Sequence, residues 1–251
     1  MKAICSMLLA AAAGAAALTV PAQASKLDER IVAAARQSYV FKVYLEGDDV
    51  RIESRDGAVT LTGLTSEDFH RSLAEVTVKD IPGVKSLDNR LEIKGSSPTA
   101  NSDAWLRDKV KATLFFHWSV RGAAAVVEVK DGIVTLRGNA ASQAQLELTA
   151  EYARDVEGVK AVKNEMTAVT AAGILPRSTD EKIDDVSVAA LVRMALLLHH
   201  STSGLYTTVA TRRGVVTVGG RAKSAAQKNL VTKVVKDVNG VKKVKNRMII
   251  E

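Results

Sequence analysis

The chain has 251 residues, 47% of them hydrophobic and 25% charged, with a formal net charge of +7 and an isoelectric point near 9.5. Those proportions are ordinary for a globular protein and exclude collagen-like, low-complexity and polytopic membrane chains. One cysteine (Cys5) and four histidines (His70, His117, His199, His200) cannot supply a zinc site of the usual Cys/His spacing or an intrachain disulfide.

Residues 1–24 read as a signal peptide. Lys2 gives the positive start, residues 7–20 an Ala-rich apolar run, and Ala22 and Ala24 the small residues that favour cleavage after Ala24. The alternative is a retained N-terminal anchor. Cys5 precedes the apolar run, so it is not placed as a lipoprotein cysteine and leaves with the peptide. Export is therefore expected, and nucleic acid is not expected as a partner despite the basic charge.

The rest of the chain repeats itself three times. DGAVTLTG (56–63) recurs as DGIVTLRG (131–138) and RGVVTVGG (213–220), and IPGVKSLDNRLEI (81–93) recurs as VEGVKAVKNEMTA (156–168) and VNGVKKVKNRMII (238–250). Gly57 to Gly83, Gly132 to Gly158 and Gly214 to Gly240 are each 26 residues apart. The units span 25–95, 103–171 and 179–251, joined by small, polar, Pro-containing linkers at 95–102 and 171–180.

Each unit begins with a helix whose apolar stripe is Ile31/Ala35/Tyr39, Leu106/Val110/Leu114 or Val188/Val192/Leu196. After a loop comes a strand (50–54, 125–130, 206–211), then a tight Asp-Gly or Arg-Gly turn into a second alternating strand ending at Gly63, Gly138 or Gly220. A second helix follows, opened in two units by the capping boxes Ser142-x-x-Gln145 and Ser224-x-x-Gln227. Gly83, Gly158 and Gly240 stop it, and a last strand closes the unit. The fold class is α+β: three tandem αββαβ domains, each a three-stranded sheet with two helices on one face and its own core. A fragment from Thr179 to Glu251 holds a complete set of elements, so it is expected to fold alone.

This pattern of helix, DG-x-V-T-L-x-G, Ser-capped helix and G-V-x-x-V-x-N resembles the BON domain, three times over, most closely in residues 186–221. The resemblance implies the αββαβ fold, a periplasmic or envelope location, association with phospholipid membranes, often under osmotic or envelope stress, and no catalytic residue. The first unit departs most, with Asp48-Asp49 and Leu64-Thr65-Ser66 where the others carry different residues.

No phosphate loop, acid–base pair or metal cluster can be assembled, so no catalytic residue, metal or cofactor is expected. Asn89, Asn164 and Asn246 share the parity of core residues and should hydrogen-bond a neighbouring loop's backbone. His117 and His199 end equivalent helices, where a histidine interacts favourably with terminal carbonyls. Ser201 and Ser203 follow His199 with no identifiable carboxylate to orient a triad.

Charge separates the units. Residues 25–96 hold 11 basic and 13 acidic residues and residues 97–172 nine of each, whereas residues 173–251 hold 14 basic and six acidic. The basic residues of the third unit, Arg212, Arg213, Arg221, Lys223, Lys228, Lys233, Lys236, Lys242, Lys243, Lys245 and Arg247, are candidates for contact with anionic head groups. A second candidate is the aromatic cluster Trp105, Phe115, Phe116 and Trp118, readable either as an interfacial wedge or as cover for a seam between units. The sequence therefore points to a non-enzymatic envelope protein whose partner is an anionic phospholipid surface, with protein binding or a chaperone-like role as the alternative.

Overall fold

A computed structural model describes residues 22–95, 98–121, 124–169, 183–203 and 205–251. Most of the expected signal peptide and the linker at 171–180 lie outside them. The first unit runs α1 (Ala22–Gln37), β1 (Asp49–Arg55), β2 (Ala58–Thr65), α2 (Asp68–Lys79) and β3 (Ser86–Ile93). The second runs α3 (Asp103–Phe116), a short α4 (Trp118–Arg121), β4 (Ala124–Lys130), β5 (Ile133–Ala140), α5 (Gln143–Arg154) and β6 (Ala161–Ala168). The third runs α6 (Asp185–Leu198), a short α7 (His200–Ser203), β7 (Thr207–Arg212), β8 (Val215–Ala222), α8 (Ala225–Lys236), β9 (Lys243–Asn246) and β10 (Ile249–Ile250).

In every unit the middle strand pairs antiparallel with the first and parallel with the last, as the αββαβ order requires. Several details differ from expectation. The segment after the first helix is a π-helical turn (Val40–Tyr44) in the first unit and a four-residue helix in the others, not a plain loop. The second strands run through Gly63, Gly138 and Gly220 rather than ending there, and the third unit's last strand is split in two.

The hairpin turns explain a repeated acid. Asp56/Gly57, Asp131/Gly132 and Arg213/Gly214 all take positive φ, the conformation that matches a two-residue turn to strand twist. Asp28, Asp103 and Asp185, in the first helices, each accept both turn N–H groups, Asp185 from Arg213 at 2.6 Å and Gly214 at 2.8 Å. One carboxylate thus ties helix to hairpin in each unit and holds Arg213 in a backbone region unusual for a side chain of its size.

The repeat asparagines tie the last strand to the second helix, not to a loop. Asn164 donates to Leu146 O (2.9 Å) and accepts from Met166 N (3.2 Å), and Asn246 donates to Lys228 O (2.8 Å) and accepts from Met248 N (2.9 Å).

The cores are not all separate. The second unit has its own cluster around Val110, Val134 and Leu136, but the apolar interiors of the first and third units form one continuous cluster that also takes in Ala112 and Phe116. The cause is α6, which is buried on more than its expected stripe: Ala189, Ala190, Leu191, Met194 and Leu198 are buried as well. A helix apolar on most sides must be enclosed by neighbours.

Candidate functional site

Helices cover one face of each sheet, and the strand residues that point toward them are the buried ones, such as Val216 and Val218 in β8. The opposite face is open, and register lets the three open faces be compared position by position. The first unit's face mixes signs, with Arg51 pairing Asp49 (3.5 Å) and Arg90 pairing Asp88 (2.7 Å). In the second, Arg137 lies between Glu128 (2.5 Å) and Glu165 (2.8 Å).

The third unit has lost these acids. Ala210 stands where the other units have Glu53 and Glu128, Lys245 where the first has Asp88, and Arg247 where the second has Glu165. Strands β7 to β10 contain no acidic residue. The face carries Arg212, Arg221, Lys243, Lys245 and Arg247, all exposed. Lys243 and Lys245 lie beside Val215 and Thr217 of the central strand. Among the described residues, Arg221 alone of these cations has an acidic partner, Glu251 at 2.5 Å.

Two residues that sequence reasoning missed join this face. Tyr206, next to β7, is 93% exposed, and Ile249 in β10 is 69% exposed. They stand where the first unit has Asp49 and Glu92. Aligning the repeats by strand parity, rather than counting charge along the chain, is the signal that would have found them.

The eleven basic candidates therefore divide. Five form the open face, and Arg213 and Lys242 sit at its turn end, where a Cβ on Gly214 would meet the Lys242 stem at 3.0 Å. Lys223, Lys233 and Lys236 are exposed on the helical side. Lys228 is half-buried and donates to Met248 O at 2.7 Å, a structural role. The aromatic cluster is dispersed. Phe116 is fully buried against Tyr44 and Phe69 of the first unit, so it belongs to a seam and not to a lipid wedge. Phe115 meets Tyr44 edge-on at 4.7 Å, and Trp105 lies beneath the Lys109 ammonium (4.0 Å). The Trp118 side chain lies outside the described residues.

The helix-end histidines face carboxylates of a neighbouring unit rather than their own helix carbonyls. His117 is buried, stacks on Tyr152 (3.8 Å between ring centres) and faces Asp237 of the third unit at 3.5 Å. Ser119 and Tyr152 donate to the same carboxylate, Tyr152 at 2.5 Å. Burial alone would raise the Asp237 pKa, but the groups aimed at it, His117 first, outweigh that and hold it below the ordinary value. His199 pairs with Asp155 of the second unit, and Ser201 donates to that carboxylate at 3.2 Å. A carboxylate beside Ser201 thus exists, contrary to the sequence reading. Ser201 and His199 both address the acid, however, so these two are not paired as a nucleophile and its base.

Comparison with known proteins agrees with this architecture. The model of the BON domain matches residues 27–95, 102–170 and 184–251. "Osmotically-inducible protein Y" of Escherichia coli (strain K12) is 31% identical over 144 residues, 57% of this chain and 70% of that protein. "Outer membrane lipoprotein DolP" of Haemophilus influenzae is 30% identical over 115 residues, 45% of this chain and 59% of that protein. Among solved structures, CdsD, a structural protein of the type III secretion system of Chlamydia trachomatis, aligns over 89% of this chain and 91% of that one at 18% identity, with a TM-score of 0.22, too low to relate the two. Three matched segments cover nearly all of the described chain, and the chain belongs to the BON domain family.

Proposed function

We propose that the protein is a non-enzymatic, periplasmic envelope protein of osmotic or envelope stress that associates peripherally with anionic phospholipid through the open sheet face of its third unit. The observation that carries this reading is the loss of every strand acid from that one face among three homologous faces. Each basic residue near an anionic bilayer contributes up to about 1 kcal/mol of attraction. Tyr206 and Ile249 at one end of the face suit the apolar–polar boundary of a membrane. The names of the relatives, an osmotically inducible protein and an outer membrane lipoprotein, support the setting.

Flotation with vesicles tests the reading. Retention on phosphatidylglycerol-containing vesicles, weaker on phosphatidylcholine alone and fading with salt, is the expected result. Absence of retention on any vesicle, together with suppression of client aggregation, would replace it with the protein-binding reading.

A further inference from the structure

A cleft of about 620 Å³ opens where the three units meet, within the size range of small-molecule sites. Phe69 of the first unit, Trp105 of the second, and Met194, Leu197 and Leu198 of the third give it an apolar wall. Leu197 is 57% exposed, so part of that wall faces solvent.

Glu67 lines the same cleft, and it breaks the repeat. The equivalent residues Ser142 and Ser224 cap their helices by accepting from Gln145 N and Gln227 N, both at 3.1 Å. Glu67 occupies the cap position of α2 but its side chain makes no capping bond. Its Oε2 is sealed from solvent and accepts no hydrogen bond from the described residues.

The basic groups lining the cleft each have a nearer partner than Glu67. Arg107 pairs with Asp108 (3.0 Å), Lys109 lies over the Trp105 ring (4.0 Å), and Lys94 donates to Gly47 O (3.3 Å). Burial, and then the neighbouring Asp108, push the Glu67 carboxyl above its usual range, outweighing the opposite pull of His70, Lys111 and Arg107.

We propose that this three-unit cleft binds a small organic cation, a primary amine on an apolar body, with its ammonium on Glu67 and its body against Phe69, Trp105 and the α6 leucines. An ammonium supplies donors only, which suits a carboxylate that lines the cleft without capping its own helix. The site is separate from the basic face of the third unit and has the opposite charge preference.

The test uses three probes of one framework: 4-phenylbutylammonium, 4-phenylbutanol and 4-phenylbutyrate, titrated calorimetrically and by tryptophan fluorescence against the full chain. The ammonium is expected to bind at one saturable site, about tenfold or more tighter than the alcohol, with the carboxylate weakest. Glu67→Ser, which installs the residue the other two units use, is expected to abolish that preference while the melting temperature holds. If that variant proves unstable, Glu67→Gln carries the same expectation. Equal affinity for amine and alcohol, amine binding unchanged in the folded variants, or no saturable amine binding would each overturn the proposal.

Discussion

Asp237, just past the end of α8, faces the His117 ring of the second unit at 3.5 Å, and its repeat equivalent Asp155 faces His199 of the third unit in the reciprocal arrangement. Backbone bridges His117–Val238 and Val156–His199 accompany the two pairs. The second and third units therefore associate through two copies of one contact, as the partners of a two-fold dimer do. The third equivalent, Asp80, is used between units as well, paired with Arg193.

Because the Asp237 pKa is lowered in the fold, its stabilisation is complete above the ordinary value of 3.8 and is lost as the pH falls through its own lower value. Asp237→Asn should destabilise the protein at pH 7 by about 2 kcal/mol, since a buried partner is removed from three groups. The loss should shrink in acid. Thermal melts at pH 7 and below the lowered pKa measure both effects, and a pH-independent difference would contradict this account.

Gly63 has φ +116, and a Cβ there would lie 1.8 Å from Asp49 O on the paired strand. Gly63→Ala should cost about 3 kcal/mol from strain and lost pairing. Gly47, with nothing within 4 Å of a Cβ and no positive φ, should accept alanine almost freely. Denaturant unfolding of the two variants makes the comparison.

The enclosure of α6 changes what to expect of the fragment 179–251. It has its own sheet and capping residues, but excision exposes Ala190, Leu191 and Met194 on the face that meets the other units. The fragment should show a helix-and-strand far-UV spectrum yet self-associate and bind a hydrophobic dye. A monodisperse, dye-silent fragment would show that this face does not depend on its neighbours.

Much of the fold was legible because period and parity are local properties: the stripe Val188/Val192/Leu196, the Asp-Gly turns and the Ser142 and Ser224 caps each lie within a few residues. The contacts between units were not legible. Ser119 and Asp237 are 118 residues apart, Tyr39 and Asp184 are 145 apart, and no repeat pattern says which unit a helix-end group will meet. The second apolar face of α6 was present in Ala190, Leu191 and Met194, but a single-stripe reading passed over it. Phe116 was ambiguous because adjacent aromatics fit a seam or a wedge until the neighbouring Tyr44 and Phe69 are in place.

The central claim is that one acid-free sheet face carries the membrane contact, and homologous residues provide the most direct test. Ala210→Glu, Lys245→Asp and Arg247→Glu restore to the third unit the acids its sister units hold at the same register positions. The fold tolerates those residues there in the sister units, while the face loses its single sign of charge. Co-sedimentation of this triple variant with phosphatidylglycerol-containing vesicles should fall at least about tenfold below the parent, since only 1.4 kcal/mol is needed for that change. A folded variant that sediments like the parent would contradict the assignment of the membrane contact to this face.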